Sequence, residues 1–190
     1  ATVAILNSAS SGEPLLNKHH ATMCRRVKAE TQIRTVKFVT NAMLLTDKWC
    51  DEIADANVDG IHVSIDGRSP EENDQIRVGA KYETVRDNLK RLIERLREKG
   101  CSTRIMIGNT VFRQPGDLMR PTTPEFIARD FPGFKIQSGY AMVWPGMTAE
   151  ETGLEDDTSN ELAMSRLLVG TAALTTLAFG AAYATRRRQS

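Results

Sequence analysis

Short runs of β-branched and aromatic residues alternate along the chain with stretches whose apolar residues recur every three or four positions. Runs of the first kind predict strands, and stretches of the second kind predict amphipathic helices. The predicted strands are residues 3–6, 36–42, 60–65, 102–112 and 134–142. The predicted helices are residues 46–58, 81–100 and 123–131. This alternation predicts an α/β fold in which βα units build a parallel sheet.

Several residues mark where the predicted helices begin and end. Thr46 is a cap candidate for the helix over 46–58, and Gly100 is typical of a helix C-terminus. Thr123, followed by Pro124 at the first helical position, predicts the start of the last helix. Residues 68–76 are rich in acidic side chains and are interpreted as a loop.

The last part of the chain departs from the βα pattern. Residues 144–161 lose their periodicity and turn acidic, which predicts a linker after an α/β domain over 1–143. Residues 162–190 contain an uncharged run, 167–185, which as a helix would be about 28 Å long, close to a bilayer core. Three arginines follow it, so a transmembrane helix with a basic tail is predicted. A buried Ala-rich helix is the alternative.

Charge and cysteine usage narrow the class of partner. The chain has 25 basic and 24 acidic residues and a net charge of +1, so it offers no basic field for nucleic acid. An aromatic content of 6% also counts against stacking on single strands. Cys24, Cys50 and Cys101 lack the spacing of metal ligands, so reduced thiols in or near the core are expected.

Small polar residues stand where the predicted strands end. Alternation along the strand over 60–65 places His62, Ser64 and Asp66 on one face, with the last two at the carboxyl end. Asn41 reaches the end of the preceding strand. In parallel α/β folds the carboxyl ends of the strands hold the ligands, although such residues also start turns. His62 is interpreted as a structural residue.

Two further features stand beside these strand ends. In "SSGEPLL", Gly12 would let the backbone approach a ligand, Glu13 supplies a carboxylate and Pro14 fixes the following turn. Arg77 could bind a carboxylate or phosphate through two hydrogen bonds. On the residues alone, a surface ion pair of Arg77 with Asp74 or Glu72 is the simpler interpretation.

Together these segments resemble the radical S-adenosylmethionine superfamily, and especially its peptide- and cofactor-maturation (SPASM-like) branch. "SGEPLL" resembles the Gly-Gly-Glu-Pro motif of that family, with Ser11 in place of the first glycine. "VKFVTNAMLL" resembles its "TNG" strand end, with Ala42 in place of glycine. "VSIDG" followed by "IRVGAKYETVRDNLKRL" is similar to the family's methionine- and ribose-binding segment. The likeness runs from about residue 3 to 112 and implies a partial (β/α)6 barrel.

The resemblance also implies which residues bind the cofactor S-adenosylmethionine. Its amino group would lie on Gly12, Glu13 and Pro14, and Asn41 would lie near it. Ser64 and Asp66 would lie near its ribose and methionine end. Arg77 would bind its carboxylate.

One hallmark of the family is missing from the sequence. Members hold a [4Fe–4S] cluster through the spacing Cys-x3-Cys-x2-Cys after the first strand, and no such motif occurs in this chain. Its three cysteines cannot replace that motif by spacing. We therefore expect that this chain does not run the radical reaction alone, either because it is a fragment or because the domain is degenerate.

The leading hypothesis is the core of a radical enzyme that cleaves S-adenosylmethionine reductively to a 5′-deoxyadenosyl radical, which abstracts hydrogen from a peptide or small molecule. A non-catalytic, membrane-tethered binding or scaffold module is the alternative. An unrelated barrel enzyme for a phosphorylated ligand is a third interpretation.

The location of the protein is a separate expectation. A single span with its arginines inside would place the barrel outside the cytosol, whereas an oxygen-sensitive cluster belongs in a reducing compartment. A tail anchor would remove this conflict. We predict membrane association with the barrel facing the cytosol, and keep a soluble cytoplasmic protein as the alternative.

Overall fold

The structure is a computed structural model that describes residues 5–8, as backbone, and residues 12–141. The strands are β1 (Ile5–Ser8), β2 (Thr35–Thr40), β3 (Gly60–Ser64), β4 (Arg104–Val111) and β5 (Lys135–Tyr140). The α-helices are α1 (His20–Glu30), α2 (Asp47–Ala56), α3 (Pro70–Ile76), α4 (Tyr82–Glu98) and α5 (Glu125–Asp130). A short 3-10 helix, Pro14–Leu16, follows β1.

The five strands form one parallel sheet in the order β1-β2-β3-β4-β5. Each strand therefore pairs with the next one along the chain, and the connection always advances in the same direction across the sheet. Because crossover connections are right-handed, such a sequence of steps places the helices on one side of the sheet, as in a barrel. The prediction of an α/β fold with a parallel sheet is confirmed, and the topology is consistent with a partial barrel.

The apolar core lies between the sheet and its helices. Val36 and Phe38 of β2, Ile61 and Val63 of β3 and Ile107 of β4 are at most 2% exposed and belong to one cluster with residues of α1, α2, α4 and α5. The opposite face of the sheet, here called the open face, carries side chains that are half-buried or exposed. The open face comprises Lys37, Val39, His62, Ser64, Arg104, Met106, Gly108, Lys135 and Gln137.

An acidic side chain before β3 fastens three elements on the helix side of the sheet. Oδ2 of Asp59 accepts from the Val36 N–H at 2.8 Å, and Oδ1 lies 3.1 Å from Nζ of Lys28 on α1. Burial raises the pKa of the Asp59 carboxyl, but these two partners outweigh it, so the net pKa is lowered. The carboxylate form of Asp59 therefore stabilises the fold.

The predicted helix ends are partly confirmed. Thr46 caps α2, since its Oγ1 accepts from the Trp49 N–H at 3.4 Å, and Gly100 follows α4 with φ of 64°. The prediction of Thr123 as a cap is wrong, because α5 begins at Glu125 and Pro124 occupies the cap position without a side-chain hydrogen bond. A proline fixed in an extended conformation ends the preceding loop there.

The interpretation of residues 68–76 as a loop is wrong, because most of this segment forms α3. Oγ of Ser69 accepts from the Glu72 N–H at 3.2 Å, and Pro70 takes the first helical position. This serine–proline start with two acidic residues in the first turn is a helix-capping pattern. The extent of helix α1 was likewise not predicted, because its apolar positions are few and its buried face includes a histidine.

The predicted linker and transmembrane helix, residues 144–161 and 162–190, lie outside the described residues. Of the helices within residues 12–141, none is both long enough and apolar enough to cross a membrane.

Candidate functional site

The loop after β1 is fastened to the end of β2 by the carboxylate of Glu13. Oε1 of Glu13 accepts from the Leu15 N–H at 3.1 Å and from the Thr40 hydroxyl at 2.8 Å. Oε2 accepts from the Asn41 N–H at 2.7 Å. Gly12, with φ of 86°, makes the turn into this loop in a conformation that favours glycine. Gly12, Glu13 and Asn41 were predicted to lie at one site. The structure joins their segments through the Glu13 carboxylate, which accepts its hydrogen bonds from the protein itself.

The end of β2 turns sharply into the loop that leads to α2. Oδ1 of Asn41 accepts from the Met43 N–H at 2.9 Å, and Ala42 has φ of 62° with its side chain fully buried. Asn88 of α4 donates from Nδ2 to the carbonyls of Ala42 at 3.0 Å and Met43 at 3.2 Å. These bonds fix the position of Asn41, whose Nδ2 has no acceptor among the described residues.

The end of β3 is organised by Asp66, whose side chain is buried at the edge of the sheet. Oδ1 of Asp66 accepts from the Thr110 N–H at 3.0 Å, which joins the carboxyl ends of β3 and β4. The Asp66 N–H donates to Oδ1 of Asn73 on α3 at 3.0 Å. Asp66 thus holds the strand end and the helix that follows it in one arrangement.

Arg77 ends α3 and contacts Asp66. Nη2 of Arg77 lies 2.7 Å from Oδ2 of Asp66, and the two side chains are 27% and 12% exposed. The alternative of a surface pair with Asp74 or Glu72 is wrong, since Asp74 pairs with Lys81 and accepts from a backbone amide. Nε of Arg77 is buried and has no partner among the described residues. The guanidinium is thus held in place while part of its donor capacity is unused.

Ser64 lies beside Asn41 at the same edge. Thr40 is in register with Val63, so the next residues along, Asn41 and Ser64, end adjacent strands about 5 Å apart. Ser64 is half-buried, and its hydroxyl makes no hydrogen bond to a described residue. The structure therefore brings Glu13 to Asn41, Asp66 to Arg77, and the free polar groups of Asn41 and Ser64 to neighbouring positions.

His62 lies one step deeper on the open face, over a glycine of the next strand. A Cβ at Gly108 would come within 1.9 Å of Nε2 of His62, so only glycine leaves room for the ring there. Burial lowers the pKa of His62, which favours the neutral imidazole. His62 has no hydrogen-bond partner within residues 12–141, so the interpretation of a satisfied structural residue finds no support in its contacts.

Sequence reasoning missed the buried amides that build this edge. Asn73 and Asn109 are 1% and 2% exposed. Nδ2 of Asn109 donates at 2.9 Å to the carbonyls of both Ile65 and Gly67, which shapes the turn after β3. The available signal was an asparagine on the apolar face of β4, since most buried polar groups bond to nearby backbone groups.

The three cysteines lie away from this edge, on the helix side of the sheet. Cys24 and Cys50 are buried and Cys101 is half-buried, which confirms the predicted location in or near the core, and all three are free. Burial raises the pKa of the Cys50 thiol to about 11. Within residues 12–141 there is no group of three side chains that could hold a metal ion. These residues therefore do not fit a [4Fe–4S] cluster.

Comparison with known protein families identifies the family to which this chain belongs. Residues 7–120, more than half of the chain, match the model of the Radical SAM superfamily. The chain belongs to the Radical SAM superfamily. The match includes the loop after β1, the ends of β2 and β3 and the end of α3, which are the segments that carry the predicted site.

Individual relatives bear on the branch of the superfamily that this chain resembles. A probable GTP 3',8-cyclase of Methanococcus maripaludis strain C5 is 35% identical over 85 residues, which are 45% of this chain and 28% of that protein. A GTP 3',8-cyclase of Chlorobaculum tepidum is 34% identical over 84 residues, 44% of this chain and 25% of that protein. The match therefore spans little more than a quarter of these relatives. They support membership of the superfamily and do not point specifically to the SPASM-like branch.

Proposed function

We propose that the carboxyl edge of the sheet binds S-adenosylmethionine, and that this domain is the cofactor-binding part of a radical enzyme. The observation that carries the proposal is the meeting of polar strand ends at one edge, inside the segment that matches the Radical SAM superfamily. In this family S-adenosylmethionine supplies a hydrogen-abstracting radical after one-electron cleavage of its sulfonium. The roles of the residues below are part of the same proposal.

The free groups at the edge match the chemistry of this cofactor. The carboxylate of Glu13 already accepts three hydrogen bonds from the protein, so it orients the loop, and the loop's backbone carbonyls receive the amino group of the cofactor. The Asn41 amide and the Ser64 hydroxyl take the neighbouring polar groups of the methionine and ribose. Arg77 pairs with Asp66 through Nη2 and its side chain remains 27% exposed, so its guanidinium suits a carboxylate as well.

The proposal for this part of the chain stops at holding the cofactor. The electron for sulfonium cleavage comes from an iron–sulfur cluster in this family, and the described residues provide no ligands for one. For the substrate, the names of the relatives favour a small molecule over a peptide, and GTP is the first candidate to test.

Calorimetric titration with S-adenosylmethionine tests the proposal. Ser64→Leu places bulk at the edge without removing a hydrogen bond to a described residue. Thr84→Leu, an exposed change on α4, is the matched control. We expect saturable binding by the unmodified chain and by Thr84→Leu, and loss of binding by Ser64→Leu. Equal affinity of all three proteins, or no binding at all, would refute the proposal.

A further inference from the structure

The open face of the sheet carries cations at the edge opposite the proposed cofactor site. Lys37 of β2 is in register with Gly60 of β3, which is in register with Arg104 of β4, so all three positions share one level and one face. Lys135 of β5 is in register with Met106, one step further along the same face. Lys37, Arg104 and Lys135 are all exposed. We call this set the amino-edge cations.

The glycine between two of these cations lets them approach each other. A Cβ built on Gly60 would lie 3.1, 3.3 and 3.5 Å from Cγ, Cδ and Cε of Lys37, so the lysine stem lies across Gly60. The lysine therefore leans towards β4, on which Arg104 stands two strands away, about 10 Å between Cα atoms. Both side chains are long enough for their charges to converge over that distance.

No acid of the described residues forms an ion pair with the amino-edge cations. Within residues 12–141, neither Lys37, Arg104 nor Lys135 has an ion pair or a side-chain hydrogen bond, whereas Lys28 and most of the arginines there do. The acid adjacent to Gly60 in sequence, Asp59, is committed to the helix side of the sheet.

The buried acid of the open face is too far along the sheet to neutralise these cations. Asp66 stands six residues beyond Gly60, about 20 Å along the strand, and it already pairs with Arg77. Charges separated by more than a Debye length of about 8 Å are largely screened in physiological salt. The amino-edge cations are therefore poised to attract an anion from solution.

We propose that the amino-edge cations bind the phosphate groups of a small ligand, with Lys37 and Arg104 as the principal contacts and Lys135 beside them. Arg104 offers a planar fork suited to two phosphate oxygens, and the two lysines add point charges. The site lies about 20 Å from the cofactor edge and does not depend on S-adenosylmethionine, so either proposal can fail without the other.

Calorimetric titration of the full chain with inorganic triphosphate tests this site. We expect one saturable site in the unmodified chain and roughly tenfold or greater weakening in Lys37→Gln and in Arg104→Gln, as for loss of a charge-assisted contact. Arg97→Gln removes an exposed cation of α4 that has no ion pair with a described residue, and it should bind as the unmodified chain does.

The outcomes divide clearly. No saturable binding, or equal weakening by Arg97→Gln, would overturn the site, since the second result would reflect net charge alone. A parallel titration with a nucleoside triphosphate identifies the source of the phosphate. Tighter binding than inorganic triphosphate assigns the site to a nucleotide, and equal binding assigns it to polyphosphate itself. Circular dichroism of each variant confirms that the fold is retained.

Discussion

Removing the guanidinium of Arg77 should destabilise the fold through the charge that it leaves behind. In Arg77→Met the aliphatic volume is kept, while Asp66, 12% exposed, retains the Thr110 N–H as a donor but loses its cationic partner. Loss of one partner of a buried pair costs about 3–5 kcal/mol, and a hydrogen bond to a charged group contributes about 1.5–3 kcal/mol. Because Arg77 is 27% exposed, water replaces part of the interaction, and we expect about 1–3 kcal/mol.

Thermal and urea unfolding measure this cost directly. For a chain of this size, 1 kcal/mol lowers Tm by about 2–4 °C, so the expected decrease is roughly 2–12 °C. Arg26→Met is the control, since Arg26 forms an exposed pair with Glu30. This variant should unfold almost as the unmodified chain does. Adding Asp66→Asn to Arg77→Met removes the uncompensated charge and should recover part of the loss. Equal effects of Arg77→Met and Arg26→Met would show that the Asp66 pair is not structural.

Three further predictions follow from particular contacts. Gly67→Ala and Gly116→Ala both force alanine to positive φ, which costs about 1–2 kcal/mol. Of the two, only a Cβ at Gly67 would meet a backbone nitrogen, at 2.9 Å. Urea unfolding should therefore show the larger loss of stability for Gly67→Ala, and equal losses would contradict the contact. Gly108→Ala should destabilise by displacing the ring of His62, and His62→Ala in the same chain should restore stability; no restoration would locate the strain elsewhere. Because the pKa of Asp59 is lowered in the fold, its carboxylate stabilises the protein above the unfolded pKa of about 3.9, and this stability is lost as pH falls through the folded pKa. The loss of unfolding free energy in Asp59→Asn should therefore shrink in acid. A loss that does not change with pH would contradict this role of Asp59.

The order of elements could be predicted from sequence because most strands and helices have strong apolar patterns. Alternation in "GIHVSID" correctly separated Ile61 and Val63, which are buried, from Ser64 on the open face. Helix α3 was not predicted because its residues are mostly acidic or polar and form no apolar stripe. Its stability depends on the Ser69 cap and on the hydrogen bond from the Asp66 N–H, just after β3, to Asn73. A contact between residues distant in sequence cannot be seen in a local pattern.

The same limit applies to the candidate site. The sequence predicts that Glu13, Asn41 and Asp66 lie at strand ends. It does not predict the hydrogen-bond partners that hold them there. The Glu13–Thr40 bond joins residues 27 apart in sequence, and the Asp66–Thr110 bond joins residues 44 apart. Both bonds depend on strand register, which the apolar pattern constrains only to one face or the other.

The position of S-adenosylmethionine on the chain tests the central claim most directly. In a titration followed by 15N–1H spectra, amide shifts should concentrate at Asn41, Ser64 and Asp66, with Lys37 and Arg104 unaffected at the opposite edge. Thr84→Leu should give the same map, and Ser64→Leu should abolish it. Shifts confined to the amino edge, or spread evenly over the helices, would contradict a cofactor site at the carboxyl edge of the sheet.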